Sequence, residues 1–351
     1  MLSLVLMGLA TFAIGLLPTY DQVGIWAPVM LVALRLLQGF AVGGEWGGAV
    51  LLVAEYSPPA RRGFWASWPQ VGVPLGNLLA AGLLAILSAL QSDEAFLSWG
   101  WRVPFLLSAV LVGIGYWVRI AVAESPVFAE QRRRDQQRSG GHREAPGVEV
   151  LREHRRGLAI GMGLRLGENI SYYVITAFSI TYLTEVVGVS RGAALNAVLA
   201  GAAAACVAIP ALAALSDRVG RRPVYAIGAA GMSLWGFAFF RLLSVGSSPL
   251  LLAAFVVGLV LHGAMYGPQA AFIAELFPTR VRYSGASIAY QVTSIFAGSL
   301  APIIALALFR QTGSTTPIAV YMFATCAIST TAAVLARETR GKTFADIDAR
   351  A

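Results

Sequence analysis

Residues 54–67 read AEYSPPARRGFWAS, and residues 274–287 read AELFPTRVRYSGAS. At a constant offset of 220 residues (54 against 274), Ala54/Ala274, Glu55/Glu275, Pro58/Pro278, Arg62/Arg282, Ala66/Ala286 and Ser67/Ser287 are identical. Gly43/Gly263 and Gly47/Gly267 carry the match upstream. Each copy closes one long apolar run and precedes the next. A period this long repeats a whole group of helices, not a single solenoid unit.

The surrounding composition says what kind of helices these are. The chain of 351 residues is 57% hydrophobic and 13% charged, about half the charge of a soluble domain. Its mean hydropathy is +0.68. Apolar runs long enough for the roughly 20 residues of a membrane span cover 1–18, 27–54, 67–90, 101–122, 158–182, 192–215, 223–245, 249–276, 285–309 and 316–336. Ten transmembrane helices are therefore expected, in an all-α membrane protein. The strands of a membrane barrel are short and alternating, and these runs are neither. The first run lacks the basic flank of a signal peptide. Cys206 and Cys326 fall in different runs and read as small core residues, without a disulfide or metal pattern.

The net charge of +8 does not mark a nucleic-acid binder, because of where the cations fall. Loops after every second span hold 19 of the 26 basic residues, including eight Arg between Arg132 and Arg156. The alternate loops and their edges hold only Arg102, Arg191, Arg241 and Arg310, with Asp93 and Glu94 beside them. This asymmetry places the basic loops and both chain ends in the cytoplasm. The organisation expected is a four-helix N-terminal part (1–122), a polar cytoplasmic loop (123–157), six helices (158–336) and a cytoplasmic tail (337–351).

The repeat makes the four-plus-six count uneven. Spans 2–3 match spans 8–9, so a first unit of six helices is expected, lacking its first two. The loop SDRVGRRP at 216–223 would have its earlier copy at −4 to 3, where the chain starts. A product shortened at its N-terminus is the expectation. Parallel repeats of membrane halves characterise one transporter architecture.

Several charged groups interrupt the apolar runs. In SDRVGRRP, Gly220 permits a tight turn, and Asp217, Arg218, Arg221 and Arg222 can form ion pairs specific to one conformation. Glu55–Arg62 and Glu275–Arg282 can each pair locally, or across to the SDRVGRRP loop of the other half. Span 2 places Arg35, Gln38, Val42 and Glu45 on one helical face, with Arg35 and Glu45 about 15 Å apart along the axis. Gly39, Gly43, Gly44, Gly47 and Gly48 form a stripe suited to close helix approach. Span 5 carries Arg165, Glu168, Asn169, Tyr172, Tyr173 and Thr176, where Arg165 and Glu168 can pair at i, i+3. Span 8 puts His262, Tyr266 and Gln269 on one face, with Gly267–Pro268 interrupting the ladder. Tyr290 and Gln291 in span 9, and Gln70 and Asn77 in span 3, are further lining candidates. Charges inside a membrane face an aqueous cavity or a partner. A carboxylate that is both desolvated and near an Arg can carry a proton, which singles out Glu168.

These stretches resemble the major facilitator superfamily, and more narrowly its bacterial metabolite:proton symporters, which include proline/betaine, α-ketoglutarate, citrate and shikimate carriers. RLLQGFAVGGEWGGAVLLVAEYSPPARRGFWASWPQ at 35–70 resembles the family's helix 4–5 segment. AELFPTRVRYSGAS resembles its helix 10–11 loop, SDRVGRRP its gating loop, and ESPVF (124–128) and ETRGKT (338–343) its central-loop and tail motifs. The resemblance implies two six-helix halves with the first two helices missing, spans 1–10 being family helices 3–12. It implies proton-driven uptake by alternating access, with Arg35 and Gln38 in coupling. It assigns Asp217, Gly220, Arg221 and Arg222 to gating, where the repeat also puts Glu55, Arg62, Glu275 and Arg282. The family's first helix carries part of the substrate site, so its absence bears on whether the chain transports as it stands.

A membrane enzyme needs a nucleophile–base set, a metal cluster or paired acids near one interface. The three His (His142, His154, His262) are scattered, and the polar loop and tail contain no receiver or kinase module. A transporter is therefore expected, monomeric in the bacterial inner membrane, with no cofactor and a proton gradient as energy source. Its partners are a small metabolite, protons and the bilayer. Arg35 and Arg165 suit a carboxylate and so a small organic acid. A proline- or betaine-type osmolyte with an osmosensing role is the alternative, Glu168 and aromatic rings holding its cationic group. A non-functional remnant is the other.

Overall fold

The computed structural model describes residues 2–121 and 145–349, and all regular structure among them is helical. The ESPVF stretch and the arginines from Arg132 to Arg143 lie outside the described residues. Ten helices occupy the ten apolar runs: α1 (Leu2–Gly15), α2 (Trp26–Tyr56), α3 (Trp68–Leu90), α4 (Val103–Ala121), α5 (Arg155–Val187), α6 (Arg191–Val219), α7 (Arg221–Ser244), α8 (Ser248–Ala274), α9 (Arg282–Thr312) and α10 (Thr316–Leu335). Nine of them are long and apolar enough to cross a membrane. The exception is α1, whose 14 residues reach about 21 Å against a hydrocarbon core of about 30 Å. It stops at Gly15, short of Pro18, whose ring disfavours a helical residue before it.

Chain contacts divide the molecule into two compact units, one of residues 1–49 and 76–129, the other of residues 50–75 and 130–351. In the first, α1 packs along α4. On α2, a Cβ at Gly39 or Gly43 would meet nothing within 4 Å among the described residues, and the neighbouring Leu36 and Phe40 are exposed.

In the second unit α5 packs on α9 and α10, α7 on α8 and α10, and α6 on α8. The short helix Arg62–Ala66 packs against α6 and α8. Large apolar side chains such as Val207, Ile227 and Leu234 remain exposed on the outside, as hydrocarbon solvent allows. An aromatic knot of Phe178, Tyr182, Phe240 and Phe309 joins α5, α7 and α9. Two features concern helix continuity. α8 stays helical through Pro268 to Ala274, its ladder losing only the one donor that proline lacks. α5 and α9 widen into π-helical turns at Val174–Phe178, Leu183–Val187 and Ile295–Ser299. The polar segment also ends in a helix, Pro146–Glu153, which begins with proline at its first turn.

Close approach does occur between α5 and α10. A Cβ on Gly167 would stand 2.6 Å from the Thr325 carbonyl oxygen and 2.7 Å from the Cys326 Cα. The Gly167 N–H donates to Ser329 Oγ at 2.9 Å, and that hydroxyl donates to the Gly163 carbonyl at 2.6 Å. Cys326 is buried in the same seam as a free thiol. Overpacking such a seam costs about 1–3 kcal/mol. Gly167→Ala is therefore expected to lower the thermal unfolding midpoint in detergent. Gly192→Ala, with no neighbour within 4 Å, is expected to hold or raise it. A Gly167→Ala midpoint equal to wild type would refute the contact.

Candidate functional site

The α5 face holding Arg165, Glu168 and Tyr172 turns inward within the second unit. Arg165 is 6% exposed and Glu168 1%, and the two form an ion pair one turn apart. The second carboxylate oxygen of Glu168 lies 2.7 Å from His262 Nε2 on α8. Arg165 also donates to Gln269 Oε1 at 3.4 Å and to Ser294 Oγ at 3.2 Å. Its guanidinium lies 3.7 Å from the centroid of the Tyr290 ring on α9. Tyr290 and Tyr266 bring their hydroxyls to 3.4 Å, and His262 is flanked by the rings of Tyr172 and Tyr266 at 5.0 and 5.1 Å. Gln70 Nε2 donates to the Tyr266 carbonyl at 3.4 Å. One carboxylate, one guanidinium and one imidazole thus share a buried node where α5, α8 and α9 meet. Asn169, next to Glu168, is buried with its Oδ1 unpartnered among the described residues.

The local reading of span 5 anticipated the Arg165–Glu168 pair, and that of span 8 the His262–Tyr266–Gln269 face. The His262–Glu168 contact and the Ser294 hydroxyl were not foreseeable, since the register of one helix against another leaves no mark within either. Gln291 sits half-buried on α9 beside Tyr290. Arg35, Gln38 and Glu45 belong to the first unit. There Arg35 donates to Gln38 Oε1 at 3.3 Å, and Gln38 donates to Thr11 Oγ1 on α1 at 2.6 Å. Glu45 is half-buried on the same helix.

A second charged cluster occupies the basic end of the second unit, and here the two sequence repeats exchange partners. Arg62 donates to Glu275 Oε1 at 3.0 Å, while Arg282 approaches Glu55 at 3.7 Å. Neither repeat pairs within itself, as the local alternative supposed. The SDRVGRRP loop joins in: Arg221, fully buried, donates to Asp217 Oδ1 at 2.6 Å and reaches Glu275 Oε2 at 3.5 Å. Asp217 in turn accepts the backbone N–H groups of Gly63 and Phe64 at 2.9 and 2.8 Å. A Cβ at Gly63 would lie 2.3 Å from the Arg221 guanidinium, so only glycine lets this turn sit on the pair. Gly220 adopts φ +119° between α6 and α7, at the tight turn that glycine permits.

The tail supplies partners that the sequence did not announce. Glu338 accepts the N–H groups of Arg221 and Arg222 at 3.0 Å each, a carboxylate at the positive end of α7. Arg222 returns the favour at the other helix, donating to the Ala333 and Val334 carbonyls near the end of α10. Thr339 Oγ1 donates to Glu275 at 2.5 Å. Phe344 lies under both Arg62 and Arg282, at 3.9 and 3.7 Å. Asp348 approaches Arg282 at 3.5 Å and accepts from Thr279.

Nine helices long and apolar enough to cross a membrane, two of them joined by a buried Arg165–Glu168–His262 cluster, are the features of a polytopic membrane protein. A family model for the Major Facilitator Superfamily matches residues 1–302 and 168–347, and the chain belongs to that superfamily of transporters. The shikimate transporter of Escherichia coli K12 is 39% identical over 342 residues, covering 97% of this chain and 77% of the relative. The inner membrane metabolite transport protein YhjE of the same strain is 40% identical over 96% of this chain and 77% of its own length. The glycine betaine/proline/ectoine/pipecolic acid transporter OusA of Dickeya dadantii is 33% identical over 97% and 69%. Among solved structures, the proton:xylose symporter XylE superposes with a TM-score of 0.77 at 17% identity, covering 99% of this chain and 82% of that one. XylE from E. coli in a partially occluded inward-open conformation gives 0.62 at 19%, over 97% and 81%.

Breaking a buried ion pair costs about 3–5 kcal/mol, and Glu55 stands 3.7 Å from Arg282 where Glu275 is held by two guanidiniums and a hydroxyl. Glu275→Gln removes the carboxylate shared by Arg62 and Arg221, so its thermal unfolding midpoint is expected to fall well below that of Glu55→Gln. Equal losses in the two variants would mean that the cluster is not centred on Glu275.

Proposed function

We propose that this transporter couples entry of a proton to entry of a small carboxylate across a bacterial inner membrane, by alternating access. The observation that carries the reading is the buried Arg165–Glu168–His262 node. With His262 neutral, Arg165 and Glu168 cancel. A proton alone leaves one uncompensated positive charge, and a substrate carboxylate alone leaves one negative charge. Two unit charges 4 Å apart interact by about 4 kcal/mol at an effective dielectric of 20, so the two arrivals favour each other. Protonation at Glu168 or His262 loosens the hold on Arg165, whose fork then suits a carboxylate bidentately. Support for an organic acid comes from the shikimate transporter relative, and for proton coupling from the proton:xylose symporter whose fold the chain shares.

Access from the basic end requires the crosswise pairs of Arg62, Arg221 and Arg282 with Glu275, Asp217 and Glu55 to part. Candidate roles in coupling fall to Arg35 and Gln38, and in lining to Asn169, Tyr172, Tyr266 and Gln291. No cofactor is needed when the proton gradient supplies the energy. A zwitterionic osmolyte is the second reading, favoured by the rings of Tyr172 and Tyr266 beside His262 and by the similarity to OusA.

Proteoliposomes with an imposed pH gradient test both. Wild type is expected to accumulate shikimate, and glycine betaine is expected not to compete. Glu168→Gln is expected to retain exchange of internal for external shikimate while losing pH-driven accumulation. Full accumulation by Glu168→Gln would move the proton to another group, and competition by betaine alone would select the osmolyte.

A further inference from the structure

The basic end of the second unit also contains a cavity of about 320 Å³ that the crosswise pairs leave open. Its walls come from the start of α5, the end of α10 and the tail, and include Arg156, Arg337 and Lys342. Among the described residues, none of these three side chains is in an ion pair, in contrast to Arg62, Arg165, Arg221 and Arg282. Two carboxylates share the wall, Glu153 and Glu275. Glu275 is already divided between Arg62 and Arg221, and Glu153 lies beside His154. The cavity therefore keeps a surplus of positive charge.

A groove of about 510 Å³ adjoins it between α5 and α10, and the two share Arg156, Ile160 and Leu335. Beyond Arg156 the groove is lined by small or apolar side chains, among them Ala159, Gly163, Ile328, Thr331 and Ala332. Ile328 and Leu335 are 50% and 58% exposed. From Ala327 to Leu335 the groove follows α10 for about 12 Å. α5 starts at Arg155 and α10 ends at Leu335, so the cavity lies at the membrane–water boundary and the groove runs from it into the hydrocarbon.

A soluble anion would use the cavity and ignore the groove. A neutral lipid would use the groove and ignore the three cations. We propose that the pair is a site for an anionic phospholipid, its phosphate among Arg156, Arg337 and Lys342 and one acyl chain along the α5–α10 groove. Basic side chains at the membrane surface are suited to such headgroups.

Native mass spectrometry of the delipidated full chain in detergent, titrated with dioleoylphosphatidylglycerol, tests this. Wild type is expected to retain one tightly bound phosphatidylglycerol. The triple variant Arg156→Gln/Arg337→Gln/Lys342→Gln is expected to bind it roughly a hundredfold more weakly, from three surface charges. Thr331→Trp, which fills the groove at an exposed position and leaves every charge in place, is expected to lose it as well. Unchanged helical thermal unfolding in both variants keeps the comparison on binding. Retention by the triple variant, or by Thr331→Trp, would overturn the site. So would equal retention of dioleoylphosphatidylcholine, which would mark an ordinary annular lipid. Displacement by millimolar inorganic phosphate would mark a free-anion pocket and overturn it likewise.

Discussion

A carboxylate removed from water costs several kcal/mol unless other groups replace its hydration, and Glu275, 3% exposed, has its replacement drawn from three stretches of chain. Arg62 comes from the first repeat, Arg221 from the α6–α7 turn and Thr339 from the tail. Each of those partners carries an obligation of its own. Arg62 also donates to the Lys342 and Ala54 carbonyls, and Arg221 brings Asp217, which in turn fixes the backbone at Gly63 and Phe64. The turn at Gly63 and the seating of the tail both converge on one buried charge, while Gly220 turns against Glu338. That is why glycine stands at both turns: side chains there would occupy the space of the guanidinium or of Glu338.

The node in α5, α8 and α9 uses the same chemistry with a different balance. At the basic end, carboxylates and guanidiniums are shared so that nearly every oxygen has a donor. Around Glu168 the third member is an imidazole, whose ring nitrogens can donate or accept. The first cluster joins a turn, two loops and the tail at one end of the unit, and the second joins three spans within it. In the proposed mechanism the first keeps a path shut and the second registers what has bound.

Hydropathy alone located the helices, because a bilayer leaves little choice about where twenty apolar residues go. The repeat went further and singled out Glu55, Arg62, Glu275 and Arg282 as related charges. It did not say who pairs with whom: crosswise exchange depends on how two loops 220 residues apart are brought together (54 against 274), which no local pattern records. The same blindness hid the Glu168–His262 contact, although each residue stood out within its own span. Tail residues were hardest to read. Phe344 and Asp348 look like an ordinary polar end, and their importance comes only from the two arginines above them. The glycines of α2 permit contact without requiring it, and among the described residues none is made at Gly39 or Gly43.

The two exchanged pairs are related by the repeat but unequal in strength. Glu275 meets Arg62 at 3.0 Å with both side chains nearly inaccessible, whereas Glu55 meets Arg282 at 3.7 Å with a tenth of its surface in contact with solvent. Sequence symmetry therefore does not become mechanical symmetry. If the proposed gate opens, the Glu55–Arg282 contact is the one expected to part first, a peel from a loose edge toward a pinned one, with Glu275 as the last fastening to release.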